Sequence, residues 1–96
     1  MTEIGRREEY REPIEVWGSY RNGRGQSRDV HLRDLTPLGC QFYDKFGNLS
    51  VDSELVMKID TFGAIAAIVR WAHNERVGVE FRSPLHIAIF DHLKAK

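Results

Sequence analysis

Residues 13–39 read PIEVWGSYRNGRGQSRDVHLRDLTPLG, and the fold turns on them. From Pro13 to Tyr20 the pattern alternates. Ile14, Val16, Gly18 and Tyr20 fall on one side, and Glu15, Trp17 and Ser19 on the other. A two-residue period marks a strand with one buried face, because successive side chains point to opposite faces. Asn22-Gly23 is a turn signal, since both residues tolerate the backbone that tight hairpins demand, and Gly25 extends the loop. The alternation resumes from Ser27 to Leu35, with Val30 and Leu32 against His31 and Arg33. Thr36-Pro37-Leu38-Gly39 ends it, because Pro37 lacks a donor and Gly39 permits unusual dihedrals. Strand, turn and strand predict an antiparallel hairpin.

The same period recurs downstream. Cys40, Phe42 and Tyr43 suggest a short strand, and Asp44 to Asp52 a loop around Gly47-Asn48. Glu54 to Asp60 places Leu55, Met57 and Ile59 on one face, and Thr61 to Gly63 is a turn. Ala64 to Ala72 is strand-like, with Ala67, Val69 and Trp71 expected inward and Arg70 outward. After a tight connection at Asn74-Glu75, Arg76 to Arg82 sets Val77, Val79 and Phe81 against Gly78, Glu80 and Arg82. The end changes period. Ser83-Pro84 predicts an N-cap followed by proline at the first helical position, where its missing N–H costs nothing. Leu85, Ile89 and Leu93, with Phe90 beside them, predict an amphipathic helix over about 84–94. The expected organisation is an exposed arm over 1–12 and one domain over 13–96. Short strands with tight turns point to an antiparallel sheet closing into a small barrel, with the helix over an open end or side.

Composition narrows the function. The chain has 96 residues, with 14 basic and 14 acidic side chains and a formal net charge of zero. A nucleic-acid coat or polybasic membrane anchor needs a large field of one sign, which is missing. Ten of the basic residues are arginine, including every one before Lys45. Arginine offers a planar fork that suits phosphates and guanine edges. No run is apolar enough to span a bilayer, and Met1 to Arg11 lacks the apolar centre of a secretory signal. The single cysteine, Cys40, has no internal partner for a disulfide, which suggests a reducing, cytoplasmic setting.

Few residues carry chemistry. His31, His73, His86 and His92 have no ligand spacing, so no metal site is expected. Cys40 lies in an apolar stretch and reads as a buried structural thiol. No carboxylate pair stands out for acid–base work, and Gly23-Arg24-Gly25 is a hairpin turn too short for a phosphate loop. Two segments remain. Arg7 and Arg11, within R-E-E-Y-R, can converge on one anion, or be solvated and paired with Glu8, Glu9 and Glu12. Asp34 and Thr36 lie two apart at a strand end, where an extended chain would point both the same way. They then offer an acceptor for a guanine edge and a donor for a phosphate, or merely close a turn. Trp17 is expected to pack beneath the arm or the helix, with a partner contact as the alternative.

Taken together, R-x-x-x-R at Arg7–Arg11 and D-x-T-x-x-G at Asp34–Gly39 resemble the PilZ domain. Val69-Arg70-Trp71, Val77-Gly78-Val79-Glu80-Phe81 and Pro84-Leu85 are similar to that family's last strands and helix start. The likeness runs from about Arg6 to Leu93. It implies a six-stranded antiparallel β-barrel of split-barrel type followed by a helix. It also implies a receptor for the bacterial second messenger cyclic di-GMP that does not turn the ligand over and needs no cofactor. The ligand-binding roles would fall on Arg7, Arg11, Asp34, Thr36 and Gly39, with Arg6 and Arg33 as additional contacts. Thr36 stands where serine is usual, keeping the hydroxyl, and Pro37 stiffens the second motif.

The implied mechanism is an arm ordered by the ligand, which then signals to a protein partner. The rival reading is the same scaffold without nucleotide binding, acting as a protein–protein interaction module. A flavin-binding split barrel is a further class that a barrel permits. A single-stranded nucleic-acid binder would need exposed aromatics, whereas Phe42, Phe81 and Trp71 are assigned to the core.

Overall fold

The structure, a computed structural model, describes residues 14–45 and 48–95. Among the described residues six strands precede one helix: β1 (Val16–Arg21), β2 (Ser27–Thr36), β3 (Gly39–Tyr43), β4 (Glu54–Ile59), β5 (Phe62–His73), β6 (Arg76–Phe81) and α1 (Ile87–Lys94). They close into a barrel in the order β1-β2-β3-β6-β5-β4, with every pairing antiparallel. Closure leaves no sheet edge open to a foreign strand.

The period-2 reading selects the core well. Val16, Tyr20, Val30, Leu32, Phe42, Leu55, Met57, Ile59, Ala67, Val69, Val77, Val79 and Phe81 all turn inward. Tyr20 and Phe42 stack with ring centroids 5.6 Å apart. The Tyr20 hydroxyl donates to the Asp44 carboxylate at the barrel rim, so the buried ring leaves no orphaned polar atom. Burial and the neighbouring carboxylate both hold that hydroxyl protonated above its usual range.

Three register shifts interrupt the pairing, and two of them correct expectations. In β5 the register moves from Val69↔Val79 to Trp71↔Gly78, so one extra residue sits on β5. Arg70 and Trp71 therefore both face outward, and Trp71 is 42% exposed rather than in the core. Its indole covers Gly78, where a Cβ would collide with the ring. In β2 the register shifts between Arg33 and Thr36, and Asp34 takes a positive φ of 51°. The kink buries Leu35 and turns both Arg33 and Asp34 outward. Asp34 and Thr36 thus do not stand on an extended chain.

The helix also begins later than Ser83-Pro84 predicts. The Arg82 N–H donates to the Ala66 carbonyl at 2.9 Å, and the Leu85 N–H to the Pro37 carbonyl at 2.8 Å. Those bonds tether residues 82–85 to the barrel, so winding waits until Leu85 is buried. His86 is the N-cap, its Nδ1 accepting from the Ala88 N–H at 3.0 Å. Leu85 and Leu93 enter the barrel core, with Ile89 and Phe90 packed against it. His92 meets the edge of Phe62 at 5.5 Å. Since Pro37 and Phe62 both lie at the end where β1 starts, α1 covers that end. Replacing His86 by alanine is expected to lower stability by about 1 kcal/mol, the usual worth of an N-cap, seen as a lower thermal midpoint.

Candidate functional site

The bulge in β2 builds the most distinctive surface. Asp34 sits at its apex with an exposed carboxylate, which accepts a hydrogen bond from the Gln41 side-chain amide of β3. One carboxylate oxygen is thereby oriented while the other remains open to solvent. Thr36 is two residues on, in the β2–β3 turn. Its hydroxyl accepts from the Leu38 N–H at 3.1 Å and lies 3.5 Å from the Gly39 carbonyl. The second separation exceeds a normal O–H···O bond, so the hydroxyl proton is loosely held and can turn to another acceptor.

Gly39 serves a different purpose. It pairs with Thr36 across the turn and with Glu80 on β6. A Cβ there would run into the Val79 carbonyl oxygen, with the Glu80 Cα at 3.3 Å. Only glycine lets β3 approach β6 this closely, so Gly39 shapes the turn that follows Thr36.

Arg33 lies beside this bulge on the outer face. Its guanidinium stands 3.6 Å from Glu15, and His31 approaches the other oxygen of the same carboxylate at 3.8 Å. All three side chains are partly exposed, so the pairs are weak and exchangeable. Glu15 follows Ile14, the first described residue. The described chain therefore begins beside Arg33. Arg6, Arg7 and Arg11 lie outside the described residues. So does the arm expected over 1–12.

A row crosses the barrel's outer face from this corner. Arg33 pairs in register with Gln41, Gln41 with Gly78, and Gly78 with Trp71. Three strand spacings make the row about 14 Å long. It carries a cation, an amide-held carboxylate, a side-chain-free backbone and an indole. Gln41, Glu15 and Trp71 were not singled out as site residues from the pattern. Trp71 had a signal: counted back from the Asn74-Glu75 turn it faces Gly78, while counted forward from Val69 it faces the core. That disagreement is the signature of the bulge.

Trp17 does not lie beneath α1: it is 67% exposed, with its ring 4.9 Å from His31. Packing beneath the arm concerns residues outside those described. Cys40 is buried, and burial pushes its thiol up to about 12, which removes it from nucleophilic chemistry near neutral pH. Among the described residues no helix is long and apolar enough to cross a membrane.

The family model described as PilZ domain matches residues 5–95. No curated protein and no solved structure gave a match.

Proposed function

The chain belongs to the PilZ domain family, a family of cyclic di-GMP receptors, and from that premise we propose that it binds cyclic di-GMP as a single-domain cytoplasmic effector. The observation that carries the reading is the outward-turned Asp34 carboxylate, oriented by Gln41 and next in sequence to Arg33, beside which the described chain begins. A carboxylate offers its two oxygens to the paired N1–H and N2–H donors of a guanine edge, and each oxygen has a second lone pair, so the Gln41 bond orients the group without using up either. Thr36 then donates to a phosphate or carbonyl oxygen. Arg7 and Arg11, with Arg6, supply forks for the phosphates and the guanine O6/N7 edges. Arg33 joins them on leaving Glu15. Binding rather than turnover is the activity, and ordering of the arginine arm is the signal passed to a protein partner.

Calorimetric titration of the intact chain with cyclic di-GMP tests this. Saturable heat is the expected result, and none from a folded protein sinks the proposal. Glu15 is an internal competitor for Arg33, so Glu15→Gln is expected to tighten binding by roughly two- to five-fold, the scale of an exposed ion pair. An unchanged affinity would place Arg33 outside the site.

A second reading rests on Trp17. An indole 67% exposed on the outer face of β1 is a fitting anchor for another protein. If cyclic di-GMP fails to bind, this surface favours the interaction-module reading. A pull-down in which the same partner is captured with and without nucleotide would support it.

A further inference from the structure

The opposite end of the barrel carries a second charged feature that the nucleotide reading does not use. The β1–β2 hairpin spells R-N-G-R-G-Q-S-R from Arg21 to Arg28, with three arginines and no acid. Its tip is built rather than loose. The Asn22 side chain accepts from the Arg24 N–H at 2.9 Å and the Gln26 N–H at 3.0 Å, and donates to the Gln26 side chain at 3.0 Å. The Asn22 backbone adds bonds to Gln26 and Gly25, and Gly25 takes a φ of +82° that suits glycine. All of this uses the backbone of Arg24 and leaves its guanidinium outside the network. Arg21 and Arg24 ion-pair with no carboxylate among the described residues.

Facing the hairpin, the β3–β4 loop completes an open groove of about 690 Å³. Arg24, Arg28 and Gln26 form one wall, and Asn48, Ser50 and Ser53 the other. The one carboxylate in the described lining, Glu54, is already 3.0 Å from Arg82. Arg24 therefore brings to a polar, donor-rich groove a positive charge that no described carboxylate compensates, on a chain whose total charge is zero. That local excess is what an anionic partner would meet.

We propose that this groove docks an acidic segment of a partner protein, with an aspartate or glutamate carboxylate on Arg24 and the polar side chains of Asn48, Ser50 and Ser53 opposite it. Discrete carboxylates fit better than a nucleic acid. The described lining contains no aromatic ring on which a base could stack. The groove and the Asp34 corner lie at opposite ends of β2, so the two sites can be filled together. The proposal does not depend on cyclic di-GMP binding.

Fluorescence anisotropy of a labelled peptide alternating glutamate and serine tests it on the full chain. Saturable binding is expected at about 0.01 M salt, lost near 1 M, where the screening length falls from about 30 to about 3 Å. Arg24→Glu, at an exposed turn held by backbone bonds, is expected to weaken the peptide by at least about ten-fold, because a like charge then faces it. Cyclic di-GMP titration of the same variant should match wild type, which separates the failure of one site from the other. Absence of saturable peptide binding would overturn the proposal. So would an affinity unmoved by Arg24→Glu, or tighter binding of a single-stranded oligothymidylate of similar length.

Discussion

Alanine in place of Arg7 or Arg11 is expected to weaken cyclic di-GMP by roughly 10- to 150-fold each. That range follows from about 1.5–3 kcal/mol for a deleted charge-assisted hydrogen bond. The double variant should show no binding heat. Among the described residues nothing at the barrel corner replaces two forks. Arg33 is partly held by Glu15, and Asp34 repels phosphate rather than attracting it. Lysine is a poor substitute, since it keeps the charge but loses the planar pair of donors that spans two oxygens or a guanine edge. Arg11→Lys should therefore recover only part of the loss. Arg7 and Arg11 are charged side chains of a kind that rarely builds a core, so thermal midpoints are expected to stay near wild type. A folded double variant that binds as tightly as wild type would remove the arm from the mechanism.

The second large effect is on stability, and it separates two readings of one motif. Gly39→Val is expected to lower the thermal midpoint by roughly 10–25 °C. A Cβ at this position meets the Val79 carbonyl, and the obstacle is backbone that no rotamer change can clear. Either β3 draws away from β6, or the turn opens. Opening it would release the bonds from the Phe81 N–H to the Leu38 carbonyl and from the Leu85 N–H to the Pro37 carbonyl, both 2.8 Å. Mechanisms of this kind cost about 3 kcal/mol or more. A domain this small has only about 5–15 kcal/mol in total, and each kcal/mol moves the midpoint by about 4–8 °C. Gly23→Ala is the control, because nothing lies within 4 Å of its Cβ position. If Gly39→Val instead melts like wild type but no longer binds cyclic di-GMP, the glycine belongs to the ligand and not to the turn.

Much of this was legible in the pattern because strand burial is a local, periodic property. Leu55, Met57 and Ile59 needed only alternate spacing to be placed in the core, as did Val77, Val79 and Phe81. The errors cluster where a period cannot report an insertion. A bulge changes which face the following residues occupy without changing their identity. Trp71 was therefore read as core and Asp34 as extended. The helix start failed for a related reason. Ser83-Pro84 has the right local chemistry, but hydrogen bonds to β5 and the β2–β3 turn hold that segment against the barrel.

By itself, then, the sequence determined the strands, the hairpin at Asn22-Gly23, the core faces and the spaced motifs that mark the family. Each depends on side chains a few residues apart, or on the order of short motifs along the chain. Only the tertiary structure decided that Asp34 faces outward in the grip of Gln41 and that Trp71 lies over Gly78. It alone made Gly39 a packing residue and stood Glu15 beside Arg33. Those outcomes depend on how two strands register as the barrel closes, and register belongs to pairs of distant segments rather than to either one.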